Sequence, residues 1–290
     1  MILVTGATGN IGSALIAQLT AQGVPVRALV RDRNEAERSG RLPAKTEIVE
    51  GDLLRPETLT VALDGVKKAF LLVPADPRLA EMHESFVAAA MAAGVQHLVK
   101  SSALGAATGA PVRFWDWHGQ GETLVKDAGI PWTLLQPTNF AQGFLQFAPV
   151  IQQQNAFFDP LGTAPVSYVD VRDIAAVAAR TLTDAGEAHQ GRTYVLTGGE
   201  ALTGEQVAAL LSEAAGRTIA YQAISFEDFG SGAEQMGVPK WQAEGLIELY
   251  RALAAGAGKT LSPDVEAVTG KPPRTTAAFL REARAAFVGA

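Results

Sequence analysis

Glycines at positions 6, 9 and 12, in the run Gly6-Ala7-Thr8-Gly9-Asn10-Ile11-Gly12, carry the first chemistry legible in this chain. At this spacing glycine lets the backbone turn sharply, approach an anion, and bring a helix close against a strand. A helix beginning near Ile11 would present unpaired N–H groups and a partial positive charge to that anion. Gly6, Thr8, Gly9, Asn10 and Ile11 are therefore the candidates to hold a diphosphate. A second cluster, Arg31-Asp32-Arg33, follows about 20 residues later, where a dinucleotide-binding fold selects its nucleotide. Two readings compete there. Arg31, with Arg33 close by, would neutralise the 2′-phosphate of NADP through its planar fork, whereas Asp32 would bind the free ribose hydroxyls of NAD. Two guanidiniums flank the single carboxylate, so NADPH is the expected cofactor and NADH the second candidate.

These groups can meet only if strands end beside them. Ile2-Leu3-Val4-Thr5 reads as a strand feeding the glycine turn, and 24–30 as a second strand feeding Arg31. Further strands are expected at 48–49, 68–73, 97–101 and 132–135, between helices that stop at Gly23, Gly65, Gly94 and Gly129. A helix from about Asp116 precedes the last of these stops. Such alternation demands parallel strands with right-handed crossovers: an α/β, Rossmann-like doubly wound sheet with helices on both faces. Residues 1–140 form the expected NADP-binding core. Residues 141–290 read as a mixed region that adds strands to the same sheet, with candidates at 166–169 and 193–196, and carries a small, mostly helical substrate lobe. Thr203 and Gln206 resemble a capping box within it.

In that frame the carboxyl ends of the strands should border the ligand. Asp52, with Leu53, follows the third strand and could accept a hydrogen bond from an adenine amino group; helix capping ahead of Pro56 is the alternative. Leu72, Val73 and Pro74 end the fourth strand, and Ser101 and Pro137 the fifth and sixth, beside the same groove. Ser102 is the candidate hydroxyl for nicotinamide or substrate, or else a turn former. His118 could bond the nicotinamide ribose or deliver a proton, since an unperturbed imidazole titrates near pH 6.5 (about); otherwise it is a polar residue on a helix face. Trp115, Trp117, Phe140, Phe144 and Phe147 could stack on a flat conjugated molecule, with Asn139 as a polar anchor. Core packing would explain any one of these rings equally well.

Composition narrows the classes. The chain has 290 residues, 48% hydrophobic and 19% charged, which suits a compact enzyme rather than a disordered segment. A net charge of −6, with no basic cluster interleaved with aromatics, disfavours nucleic acid. The absence of cysteine removes disulfides, zinc thiolates and thiol nucleophiles. His83, His97 and His189 are isolated in sequence and match no metal-ligand spacing, so no metal is expected. No apolar run approaches the roughly 20 residues that span a bilayer, and Gly6 and Gly9 interrupt any signal-peptide pattern. A cytoplasmic location is the expectation.

The stretch Met1 to Gly12 resembles the atypical short-chain dehydrogenase/reductases of the NmrA-like type. So do Ala28-Leu29-Val30-Arg31, Gly51-Asp52, Ala93-Gly94-Val95 and the run from Ser167 through Asp170 to Ala175. The resemblance covers essentially the whole chain and is nearest to the branch of NADPH-dependent quinone oxidoreductases, triphenylmethane-dye reductases and azoreductases. It implies hydride transfer to an aromatic acceptor without metal or flavin, in a monomer or homodimer. A non-catalytic, NADP(H)-sensing regulator is the rival reading. The pattern departs from ordinary short-chain dehydrogenases at their Tyr-x-x-x-Lys pair. With Glu122 as anchor, the lysine slot falls on His118 and the tyrosine slot on Phe114, which disfavours alcohol–ketone chemistry.

Overall fold

The computed structural model describes residues 1–288. Its elements begin with β1 (Ile2–Val4), α1 (Asn10–Ala21), β2 (Val26–Val30), α2 (Arg33–Arg38), β3 (Glu47–Glu50), α3 (Pro56–Leu63) and β4 (Lys68–Leu71). There follow α4 (Leu79–Ala92), β5 (His97–Ser101), α5 (Arg113–Asp127), β6 (Trp132–Pro137) and β7 (Asn139–Phe140), then a 3-10 turn at Ala141–Phe147. Next come α6 (Ala148–Gln154), β8 (Ala156–Asp159), β9 (Val166–Val169), α7 (Val171–Thr183), β10 (Arg192–Leu196) and β11 (Ala201–Leu202). The chain closes with α8 (Gly204–Ala215), β12 (Ala220–Ala223), α9 (Phe226–Gln235), α10 (Lys240–Ala254), α11 (Asp264–Thr269) and α12 (Thr276–Glu282). Contacts divide it into two units. One holds 1–110, 115–137 and 171–195; the other holds 111–114, 138–170 and the chain from 196 onward.

The first unit is the doubly wound α/β sheet, in strand order β10-β6-β5-β4-β1-β2-β3. Pairings from β3 through β6 are parallel, and Val4 of β1 sits in register with Ala28 on one side and Phe70 on the other. Strand order reverses beside β1, the switch point where parallel sheets open a crevice at their carboxyl ends. Leu3, Leu29, Leu63, Leu71, Phe86 and Leu98 form the packed interior under α3 and α4. Each such side chain is worth about 1.5–3 kcal/mol of burial. On the opposite face α7 packs against α1, and Gln18 Nε2 donates to the Arg172 carbonyl at 3.1 Å. Lys68 Nζ donates to the Leu182 carbonyl at 2.8 Å, placing a cation at the negative end of α7.

The second unit has its own interior, built around Phe144, Phe157, Leu211, Phe279, Leu280 and Phe287. The strand expected at 166–169 forms, but it does not extend the large sheet. It joins a three-stranded sheet, antiparallel to β11 and parallel to β7, while the later strand, β10, is the one that enters the seven-stranded sheet. The capping box of α8 is complete: Gln206 N donates to Thr203 Oγ1 at 3.3 Å, and Thr203 N to Gln206 Oε1 at 2.9 Å. β8 and β12 pair in parallel without any sequence periodicity to announce them. Helix α5 starts at Arg113, earlier than the sequence suggests, because Arg113 is anchored within this unit by Glu248 at 3.0 Å and Glu244 at 3.3 Å.

One residue of β5 breaks the apolar rule. Lys100 is fully buried, with Nζ donating to the Ser101 carbonyl and to His118 Nδ1, each at 3.2 Å. Burial lowers its pKa to about 7, against the pull of Glu122 in the other direction. Between about pH 7 and 10.5 the unfolded chain therefore binds the extra proton, and stability should rise with pH across that window. Below pH 7 both states are protonated and the full cost of burial remains. Lys100→Met should be more stable than the parent at pH 7 by about 1–4 kcal/mol. Its advantage should shrink toward pH 10; urea titrations at pH 6, 8 and 9.5 read this directly, and a pH-independent difference would refute it. Gly12→Ala should act oppositely. The new Cβ would lie 2.2 Å from the Gly6 carbonyl oxygen and 2.9 Å from Ala7 Cα, both backbone atoms. A loss of about 1–3 kcal/mol in the same titrations is expected, with nucleotide binding weakened at least ~10-fold.

Candidate functional site

At the switch point lies a crevice of about 460 Å³. The end of β1 supplies one wall: Thr5 Oγ1 donates to the Leu72 carbonyl at 2.7 Å and accepts from Leu72 N–H at 2.8 Å. This tie joins β1 to β4 just where both strands end. Gly6 then turns with φ +58°, and a Cβ there would meet Leu72 Cδ2 at 2.6 Å. Gly9 is the N-cap of α1, closed by its N–H on the Gly6 carbonyl at 3.0 Å, so the first amides of α1 are left for an anion. Of the residues expected at a cofactor, Gly6, Thr8, Gly9, Arg31, Asp52, Leu53, Leu72 and Pro74 line this crevice. Asn10, Ile11, Val73, Ser101 and Pro137 do not line it; Ile11 and Val73 are core residues, and Ser101 is buried. Asp52 folds its carboxylate onto Leu54 N–H at 3.0 Å, so it both borders the crevice and shapes its own loop.

A second cleft, about 260 Å³, adjoins the first through Thr8, Val30 and Arg31. Its cations are Arg31 and Arg41 rather than Arg31 and Arg33. Arg33 turns to the β3 edge, where its guanidinium donates to the Ile48 carbonyl and pairs with Glu37 at 3.6 Å. Arg41, missed in the sequence, reaches back to the Thr8 carbonyl at 3.1 Å and Asn10 Oδ1 at 3.3 Å. It sits past α2 in an irregular loop, where no spacing rule could have marked it. Asp32 has structural work as the N-cap of α2, accepting from Glu35 N–H at 2.9 Å.

The expected catalytic pair lies in a polar cluster of the first unit. Ser102 Oγ donates to Glu122 Oε1 at 2.6 Å, and the same carboxylate takes Gln136 Nε2 at 2.7 Å and Lys126 Nζ at 3.2 Å. Burial first, then Lys100 and His83, holds the His118 pKa well below its ordinary value. The imidazole is therefore neutral near pH 7. While Lys100 is protonated it must donate to Nδ1, so the imidazole proton then sits on Nε2, a hydrogen-bond donor rather than a charged acid. His83, isolated in the sequence, packs against Gly121; its Nδ1 meets the Leu79 carbonyl at 2.8 Å and its buried Nε2 has no partner among the described residues. Lys100 and Glu122 are the organising residues that sequence reasoning did not assign.

The aromatic expectation divides. Asn139, Phe140, Phe144 and Phe147 line a cleft of about 330 Å³ in the second unit, together with Phe157, Asp159, Tyr168 and Tyr250. Trp115 does not belong to it. That ring lies in the first unit, over Gly105, where a Cβ would stand 2.8 Å from the indole. Trp117 packs on the main core, and Phe114 fills the space left by Gly245. No helix among the described residues is long and apolar enough to cross a membrane.

Comparison with known proteins agrees with this architecture. The chain is 40% identical over 287 residues to an NAD(P)H azoreductase of Xenophilus azovorans, covering 99% of each. The crystal structure of an NADPH-dependent quinone oxidoreductase of Escherichia coli, complexed with NADPH, matches with a TM-score of 0.87 at 30% identity, over 98% of this chain and 99% of that one. A Citrobacter triphenylmethane reductase complexed with NADP(H) matches with a TM-score of 0.86 at 27% identity, over 98% and 100%. The model of the NmrA-like family matches residues 1–279, and the chain belongs to that family.

Proposed function

We propose that this protein is an NADPH-dependent reductase that transfers hydride directly to a quinone or another conjugated aromatic acceptor, such as an azo or triarylmethane dye. The observation that carries the cofactor assignment is the cleft where Arg31 and Arg41 converge beside the glycine turn. A diphosphate fits the free amides of α1, and an additional phosphate dianion suits two guanidiniums on the adjoining cleft. Bound NADPH would supply the hydride, a step that needs neither metal nor flavin. Ser102 and His118 are assigned polar roles toward the nicotinamide end, His118 as a neutral Nε2–H donor. The cleft around Asn139, Phe140 and Phe144 is assigned to the acceptor, whose flat rings would stack on its aromatic walls. The regulator reading has less behind it, since the relatives described above are named as reductases and dehydrogenase-type chemistry can proceed without a phenol when the acceptor is strong.

Arg31→Asp should lower affinity for NADPH relative to NADH by about tenfold or more, because a charge-assisted contact is replaced by repulsion. Arg41→Ala should lower NADPH affinity in the same direction by a smaller factor and leave NADH within about threefold. Fluorescence titration of both nucleotides checks this; an unchanged preference in both variants would refute the assignment. Mixing the protein with NADPH and a panel of quinones, azo dyes and triarylmethane dyes should bleach the nicotinamide absorbance. Tight NADPH binding with no acceptor reduced would favour the sensor instead.

A further inference from the structure

The second unit's cleft contains phenols, whereas position 114, the tyrosine slot of ordinary short-chain dehydrogenases, carries phenylalanine. Tyr168 comes from β9 and Tyr250 from α10, and both line the same aromatic space. Neither hydroxyl has a hydrogen-bond partner among the described residues, and neither is sealed away from open volume. Their rings are fixed by packing: Phe144 lies 4.7 Å from Tyr168, and Phe229 lies 4.3 Å from Tyr250, centroid to centroid. Tyr221 behaves differently, its hydroxyl spent on Asp159 Oδ1 at 2.8 Å and the Gly162 carbonyl at 3.1 Å. Two packed phenols that line one cleft and spend their hydroxyls on no described residue are donors available to a ligand.

We infer that Tyr168 and Tyr250 form a two-donor hole for the oxygen or nitrogen atom that gains negative charge when a quinone or azo acceptor takes up hydride. This deepens the reductase reading and rests on it. As the C4–H bond of NADPH breaks, its electron pair forms the new bond to the acceptor. The displaced π pair collects on the quinone oxygen or the second azo nitrogen, and that atom then takes a proton from water. The products are NADP⁺ and the hydroquinone or hydrazo compound. Fixed donors at that atom act most strongly when the charge has developed, which is the condition for lowering a barrier rather than only binding substrate. Burial, followed by the neighbouring Asp159, pushes the Tyr250 pKa up, and burial does the same for Tyr168, so both remain O–H donors. Asp159 lines the same end. Its Oδ1 is occupied by Leu161 N–H at 2.8 Å and by Tyr221, and burial shifts it toward the neutral form, which lessens repulsion of an anion.

The test uses acceptors that differ in where the charge goes. A triarylmethane cation takes hydride at carbon and becomes neutral, so it needs no such hole. Tyr168→Phe and Tyr250→Phe should each lower kcat/KM for a naphthoquinone by roughly ten- to a hundredfold, the double variant more. The same variants should change triarylmethane reduction and NADPH affinity by less than about threefold. Equal losses on both acceptors would mean the rings serve packing alone and would overturn the proposal. An independent arm measures 4-nitrophenol binding by its absorbance, without turnover. The parent should hold it as the phenolate, and the double variant should bind it at least ~10-fold more weakly; unchanged binding would also overturn the proposal. If the parent reduces no acceptor yet binds the phenolate through these tyrosines, the reductase reading fails while the anion hole stands.

Discussion

Everything at the carboxyl edge of the large sheet depends on how closely α1 can start behind β1. Gly12 sits so near the Gly6 carbonyl that no Cβ fits between them, and Gly6 itself has a positive φ beside Leu72. The Gly12 contacts are with backbone, which no change of rotamer relaxes, and the positive φ of Gly6 is one that other side chains rarely adopt. Their consequence is positional: the unpaired amides of α1 end up level with the ends of β1 and β4, with Thr5 stitching those two strands together. Widening the turn by even an ångström would move the positive end of the helix away from the crevice, and the field of a helix terminus falls off within a turn. Arg41 reinforces the same geometry from outside by holding the Thr8 carbonyl.

The second constraint is electrostatic. A buried lysine, a buried glutamate and two buried or half-buried histidines occupy space that hydrophobic residues would fill more stably. Their arrangement is not random. Glu122 collects donors from Ser102, Gln136 and Lys126, whereas Lys100 faces His118. The result separates a carboxylate saturated with hydrogen bonds from an imidazole kept neutral and in one tautomer. Such a cluster costs stability that apolar side chains of similar volume would not.

Much of the fold was legible because the first half obeys strong local rules. Glycine stops, β-branched runs and helix spacing placed β1, β2, β4, β5 and β6 to within about two residues at either end. The Thr203 capping box was equally readable. What escaped had no local signal. β8 and β12 are four-residue strands whose pairing joins positions far apart in the chain, and α2 is a short run of charged residues. The same division holds for the candidate sites. Gly6, Gly9 and Arg31 follow from motif spacing, but Arg41, Lys100, Tyr168 and Tyr250 acquire meaning only through tertiary approach. Trp115 shows the same limit from the other side: its ring lies over Gly105, a packing contact that no sequence spacing announces.

The absence of tyrosine from position 114 then takes on a chemical meaning. A ketone is a poor hydride acceptor and needs a strong acid poised at its oxygen, so a dehydrogenase of alcohols cannot easily lose its phenol. Quinones and azo bonds gain aromaticity or relieve a weak π bond on reduction, so a hydrogen bond to the developing anion is enough and full proton transfer can wait for water. A triarylmethane cation asks for less still, since hydride addition removes charge. A phenylalanine at position 114, packed against Gly245, offers no phenol, which suits this class of acceptor better than ordinary alcohol chemistry.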